Sequence, residues 1–510
     1  MSTLARETVL ERLARKFWWV ESLLERKVGS TGVQIGGTGV LALRPYTLRG
    51  KNLENHKHVI GTSGFGKSNL LATYYTGLLK EGIPAALIDP HADLATDCLH
   101  HLLDCGYLND PAKREKFLYI DFGVKDSSGN PTHFLPFNVL RQPFDKYTIA
   151  RNFVETCRRV WPYLAQGAPQ FENILLYSVI VLIDNNLPLT EIEEVLANKE
   201  YRSALLRQVK DEKVLSFFEN RYDEWGRDAP LMRESTLNKI SLLTFSPVLR
   251  YSLSQKDNVL DFRRIIDGGI SVIFNLGGLD EETQKFIGCL IAIGFETAAL
   301  SREDTRHTAR TDYHLLMDEF SMFSASTEAS LSRILSLARK YRLFLVLAHQ
   351  TFSQVSERLQ GALQNTITIS FRLGRTDAVK MSEQFGQFDS YTVKHDVTDE
   401  KAIERTHPMY FSVNETYEGW AIELERLFIG ECYVKTKNRT EKVKTHRFPT
   451  PHSSTQRLRK LEAFYTRRLM VPAHDLLTEN SRISEQKVSE NHVFEQKLIS
   501  GKRRFKEEED

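Results

Sequence analysis

The sequence predicts an α/β fold: a parallel, doubly wound sheet flanked by helices, with an all-α domain set into it. Three observations carry the prediction. The run His58-Val59-Ile60 leads into "GTSGFGKS", residues 61 to 68, and then into a helix-compatible stretch, which together make a strand, loop and helix. Two further apolar runs, Ala85 to Ile88 within "IPAALIDPHADL" and "KFLYIDF" from Lys116 to Phe122, read as strands of the same sheet, the first buried on both faces. Strand signals then resume only far downstream, at "ISVIFNL", "YHLLMDEF", "LFLVLAHQ" and "TITISFRLG", so distant residues complete the sheet.

The elements follow in order. Residues 1–42 are an N-terminal helical and strand extension. Leu10, Leu13, Phe17, Val20 and Leu24 stand at helical spacing there, an amphipathic face for the protein body, a neighbouring subunit, a membrane surface or a partner. The first part of the core, 43–146, begins with short strand-like pieces such as "GVLALRPY" and "KHVIG". Its helix runs from about Lys67 to Lys80 and stops at Gly82, a natural C-cap. Residues 147–243 are charged, helix-compatible and poor in strand signals, an all-α insertion. The second part of the core, 244–386, includes a helix through Tyr341 followed by a strand from Leu343. In the C-terminal extension, 387–510, "IGECYVKTKNRTEKVKTHRF" suits a hairpin and "GKRRFKEEED" a solvated, charged tail.

Composition narrows the class. At 510 residues the chain exceeds a single core, and roughly two or three domains are expected. With 41% hydrophobic and 26% charged residues it reads as an ordinary globular protein. A net charge of +2 sets no strong overall field, so any nucleic-acid contact must come from a local basic face. The five cysteines form no C-x-x-C pair and read as reduced cytoplasmic thiols without a metal cluster. The longest apolar runs, "ILLYSVIVLI" and "FIGCLIAIGF", reach about half of the ~20 residues a bilayer requires. They suit buried helices.

Residues 61–68 fit the phosphate-loop pattern G-x-x-x-x-G-K-[ST], with Gly61, Gly66, Lys67 and Ser68 in the fixed places. The glycines let successive N–H groups point inward, and the following helix adds partial positive charge where phosphate oxygens would sit. The expected nucleotide contacts are Gly61, Thr62, Ser63, Gly64, Phe65, Gly66, Lys67, Ser68 and Asn69, with Lys67 reaching the β and γ oxygens and Ser68 ligating Mg2+. "HLLMDEFSMF" supplies two adjacent carboxylates at the end of an apolar strand. Period-two alternation would turn Asp318 and Glu319 to opposite sides, Asp318 toward the metal and Glu319 toward the attacking water. Gln350 closes the strand "LFLVLAHQ", where it can sense the γ-phosphate or the water; Arg339 and Arg342 precede that strand on one local surface.

Taken in order, the phosphate loop, "LIDPHADL", "LPFNVL", "LLMDEF", "ARKYRLFLVLAHQ" and "NTITISFRLGRTDA" resemble the HerA/FtsK clade of DNA-pumping ATPases, and within it the coupling ATPases of conjugation and type IV secretion. The resemblance spans Leu43 to Phe385. It implies a RecA-like core that uses ATP and Mg2+, with catalytic roles for Lys67, Glu319, Arg339 and Gln350 and metal contacts from Ser68 and Asp318. It places the arginine finger on Arg339, acting in the next subunit's site, and the sensor on Gln350. It further implies a homo-oligomer, a hexameric ring around double- or single-stranded DNA. A cytoplasmic place follows, with peripheral recruitment to a membrane left open.

Two features depart from that pattern: no transmembrane segment is found, and Ser63-Gly64-Phe65 stands where threonine-glycine is common. Three readings therefore stay open. One is a conjugative DNA motor working with relaxase and secretion components. Another is a HerA-type translocase whose partner is a nuclease, in DNA end processing or defence. The third is a P-loop switch or scaffold that pumps nothing.

Overall fold

The computed structural model describes residues 31–476 except 40–41, 162–168, 224–233, 235, 239, 242–244, 324–334, 336–337, 387–392, 399–405 and 438. The expected amphipathic N-terminal helix and the charged tail lie outside the described residues. Two compact units emerge, one from Met1–Tyr119, Arg151–Pro169 and Asp261–Arg459, the other from Ile120–Ala150, Gln170–Leu260 and Lys460–Asp510.

The first unit is organised by one sheet. Its strands in chain order are β1 Gly32–Thr38, β2 Arg44–Arg49, β3 Lys57–Ile60, β4 Ala85–Asp89 and β5 Phe117–Asp121; after the two-residue β6 His133–Phe134 of the other unit come β7 Ser271–Asn275, β8 Tyr313–Met317, β9 Leu343–His349 and β10 Ile367–Ser370. A separate ribbon pairs β11 Val393–Thr398 with β12 Thr406–Tyr410, and β13 Glu431–Lys435 and β14 Thr440–Thr445 return to the main sheet. The sheet is 11-stranded, in the order β2-β1-β14-β13-β10-β3-β9-β8-β4-β7-β5.

Its two halves differ in kind. From β10 to β7 every neighbouring pair is parallel. These strands are buried along their whole length, as strands covered on both faces must be. From β10 outward through β13, β14, β1 and β2 the pairing turns antiparallel. Residues there alternate, as in Cys432 and Val434 of β13, which turn inward between half-exposed neighbours. The hairpin expected near residues 429–448 is thus present and joins the main sheet, and the doubly wound parallel core carries an antiparallel wing.

Helices cover the sheet. Lys67–Lys80 ends as its sequence suggests: Gly82 takes φ +76, its N–H donates to the Leu79 carbonyl at 3.1 Å, and the Ile83 N–H donates to Leu78 at 2.9 Å. This pair of bonds satisfies carbonyls that a helix end leaves open. Glu281–Leu300 is capped by Asp280, whose carboxylate accepts from the Thr283 N–H at 2.9 Å, and it buries Phe286, Ile287, Ile291 and Phe295. The two longest apolar runs of the chain fall in this helix and in Pro169–Asp184; among the described residues no helix is long and apolar enough to cross a membrane.

The second unit is built from short helices, including Ile192–Ala197, Lys199–Leu206 and Glu212–Phe217, with β6 paired to β15 Val471–Pro472. It fully buries Arg202. That guanidinium donates to the Val195 carbonyl at 2.8 Å, pairs with Asp223 and stacks on the Tyr222 ring at 4.9 Å. Removing one partner would strand a buried charge, at a cost of about 3–5 kcal/mol.

Candidate nucleotide-binding site

The site forms where the parallel strands end. Beyond Ile60 the chain is held by the segment after β10: the Thr62 N–H donates to the Arg372 carbonyl at 2.9 Å, and the Phe371 N–H to the Ile60 carbonyl at 2.8 Å. A Cβ on Gly61 would lie 2.6 Å from the Phe371 Cβ, so this close approach admits only glycine. Gly64 and Gly66 follow with φ of +81 and +114, and the helix starts at Lys67 with no side chain capping its first amides. Uncapped amides at a helix start suit an anion.

Lys67 is buried and folds back on the loop, its Nζ donating to the Gly61 carbonyl at 2.7 Å and to Thr62 at 3.3 Å. Burial pulls the ammonium below the ordinary lysine range, and the carboxylates of Glu319 and Asp318 oppose that shift. The Ser68 hydroxyl lies 3.4 Å from Asp318 Oδ2. Asp318 is itself pushed up to about 6 by burial, then by the neighbouring charges of Asp89 and Glu319, while the Glu319 N–H opposes the rise.

Strand alternation does not govern this carboxylate pair, because β8 stops at Met317 and Glu319 takes φ +45. The turn sets the two residues against different partners on the same side of the strand ends. Glu319 Oε1 accepts from Gln350 Nε2 at 2.9 Å, and the Gln350 N–H donates in turn to Gln354 Oε1 at 3.0 Å. A left-handed glutamate costs of order 1–3 kcal/mol, a strain that clusters at functional sites.

The structure therefore gathers Lys67, Ser68, Asp318, Glu319 and Gln350, from β3, β8 and β9, around one loop. Arg339 is elsewhere. It is exposed on the short turn Ala338–Tyr341 before β9, at the opposite end of the sheet from Gln350, and its charge acts on His56 and Lys57. A strand of this length sets the two ends about 20 Å apart. Most of the expected helix leading to Tyr341 lies outside the described residues. Arg342 is employed differently, paired with Asp312 and, at 3.5 Å, with Glu54. Asn69 turns its amide away from the loop: Nδ2 donates to the His446 carbonyl at 2.5 Å, and Oδ1 accepts from the Phe448 N–H at 2.6 Å.

Sequence reasoning passed over other residues near the site. Asp89 ends β4 fully buried and accepts from the His91 and Ala95 amides at 2.9 and 2.8 Å. With Ser68, Asp318, His91 and Arg447 it lines a cavity of about 520 Å³, within the 300–1,000 Å³ usual for small-ligand sites. The signal was available, an aspartate closing an apolar strand like Asp318, but only the strand order places β4 beside β8. Beneath the loop lies a histidine pair. His349 Nδ1 faces the Thr351 carbonyl at 2.9 Å and so carries the proton, leaving Nε2 to accept from His58 at 2.7 Å. No motif announced it.

The sequence matches no family model and no curated protein. Solved structures do match. The bacterial conjugative coupling protein TrwB, in its unbound form, superposes with a TM-score of 0.55 at 15% identity, over 85% of this chain and 93% of that one. TrwB in complex with ADP and Mg2+ gives 0.53 at 15% identity, over 84% and 93%. VirB4 of Thermoanaerobacter pseudethanolicus gives 0.52 at 13% identity, over 82% and 97%. The chain thus has the fold of these proteins, a RecA-like core with a mixed, mostly parallel sheet flanked by helices.

Proposed function

We propose that the chain is an ATPase of the conjugation and type IV secretion class, a ring-forming motor that moves DNA by hydrolysing ATP at the borders between subunits. One observation carries the reading: on a fold shared with TrwB, the Ser68–Asp318 and Glu319–Gln350 contacts converge on the loop that holds Lys67. TrwB has been seen with ADP and Mg2+ and with a non-hydrolysable ATP analogue.

In this reading the loop from Gly61 to Ser68 cradles the phosphates and Lys67 unfolds from its own carbonyls toward the β and γ oxygens. The Ser68 hydroxyl and Asp318 carboxylate are hard oxygen donors that would hold Mg2+. When bound, the ion neutralises charge on the phosphate oxygens. Glu319 takes the proton of the attacking water, and Gln350 fixes the direction of its carboxylate. Arg339, exposed at the far end of β9, serves the site of a neighbouring subunit. DNA is held through its phosphates, so binding weakens steeply with salt and shows little sequence preference.

The test measures ATP hydrolysis with and without double-stranded DNA, together with displacement of a protein roadblock from the duplex. Stimulation and displacement are expected. Hydrolysis indifferent to DNA would reduce the protein to an ATP-driven switch or scaffold.

A further inference from the structure

Strand order gives the phosphate loop two unlike sides. After β3, the order β9, β8, β4 brings up Gln350, Asp318, Glu319 and Asp89, every group suited to a terminal phosphate and water. In the other direction stand β10 and β13, and what they present is apolar and aromatic.

Arg372 follows β10 and lays its guanidinium over the Phe65 ring, 5.0 Å from the centroid. Before β13, the turn Leu427–Gly430 is hung on the phosphate loop itself: the Gly430 N–H donates to the Phe65 carbonyl at 3.0 Å. Gly430 has φ +81, and its Cα lies 3.5 Å from where a Cβ on Gly66 would stand. At the turn's other end Leu427 is buried in a core cluster with Phe352, Leu373 and Phe385. Between these anchors the Glu431 N–H donates to the Phe428 carbonyl at 2.9 Å, which closes the turn. Phe428 and Ile429 are thereby pinned in the open, at 72% and 69% exposure. Two adjacent large apolar side chains held in water by a fixed turn mark a surface made for contact.

From this placement we infer that Phe428 and Ile429, with the Arg372-covered Phe65, form the shelf for the base and ribose of the nucleotide. The inference rests on the ATPase reading. A triphosphate whose terminal group faces Asp318, Glu319 and Gln350 can carry its nucleoside to the side away from them, across Phe65 and Gly66 toward β13. That strand lies two spacings from β3, about 10 Å, which matches the reach of a nucleoside from its phosphates. A base stacks on aromatic faces whatever its edges carry, and an arginine plane adds to that attraction.

The double variant Phe428→Ala/Ile429→Ser changes only exposed side chains and leaves Gly430 in place. Calorimetric titration with the Mg2+ complex of a non-hydrolysable ATP analogue, and separately with Mg2+ tripolyphosphate, distinguishes base from phosphate binding. The expected result is a Kd for the analogue ten- to a hundredfold weaker than wild type, with tripolyphosphate affinity unchanged. An analogue Kd within threefold of wild type overturns the shelf, and so does an equal loss for both probes. A change of oligomer mass at unchanged Kd also overturns it and makes the turn an interface between copies. Wild-type protein that binds neither probe overturns the ATPase reading instead.

Discussion

The two ends of β9 are made differently. At its carboxyl end Gln350 meets Glu319 within one chain, held by the Thr351–Gln354 capping box, and the glutamate's partner is supplied by the adjacent strand. At its amino end Arg339 projects into solvent beside the buried His56 and Lys57. The first end is a closed arrangement that fixes the carboxylate proposed as the base. The second offers an exposed cation that lies, among the described residues, at the far end of the strand from the phosphate loop, as the proposed role in another chain's site requires. The contrast supports the proposed function, in which one strand would carry both halves of a relay between subunits.

Breaking the open end should cost most. Arg339→Ala is expected to bind ATP normally and to hydrolyse it about 10³- to 10⁵-fold more slowly, the range for an arginine supplied in trans. Mixing it with Glu319→Gln protein should restore some activity, because a mixed ring contains sites with an intact glutamate and an intact neighbouring arginine. Absence of rescue would place Arg339 outside the neighbouring site.

At the closed end, Glu319→Gln keeps an oxygen to accept from Gln350 but loses the base. A fall of about 10²- to 10⁴-fold in kcat with nucleotide affinity retained is expected, read by steady-state kinetics and titration. Gln350→Ala removes one hydrogen bond to a charged group, a loss on the order of 10- to 100-fold in kcat. Its KM should hold. If KM rises while kcat stands, Gln350 binds nucleotide and does not orient Glu319.

Much of this contrast could be read in advance, and the part that could not has a physical cause. The parallel strands announce themselves because each is an unbroken apolar run, as in "AALID" and "YHLLM". The wing does not: β1 is "GVQIGGT", β14 is "TEKVKT", and Gly36 pairs with Thr445 far along the chain. The phosphate loop, Asp318-Glu319 and Gln350 were legible because each is a local pattern at a strand end. Asp89 and Phe428 gain their meaning only from which strands are neighbours. Arg339 and Arg342 are alike in sequence, and only the ion pairs of Arg342 with Asp312 and Glu54 separate them.

The smallest expected effect is on stability, and it too separates the ends of β9. His56, beside the open end, is held down to about 3 by burial first and then by the charges of Lys57 and Arg339; its Nδ1 accepts from the Leu345 N–H at 2.9 Å, a bond that protonation would break. A histidine with a lowered folded value stays neutral in the fold and takes up its proton on unfolding. Its contribution to stability is therefore fully present above the unfolded value of about 6.5 and is lost as pH falls from there toward 3. At pH 5 the loss is about 2 kcal/mol. His56→Asn keeps an acceptor oxygen and removes the titration, so its Tm should fall less than wild type between pH 7 and pH 5. Asp318 and Asp121, both raised to about 6, act with the opposite sign but are common to the two proteins and cancel in the comparison. Identical slopes would mean that His56 titrates in the fold as it does in the unfolded chain, and that burial and the neighbouring charges do not hold its value down.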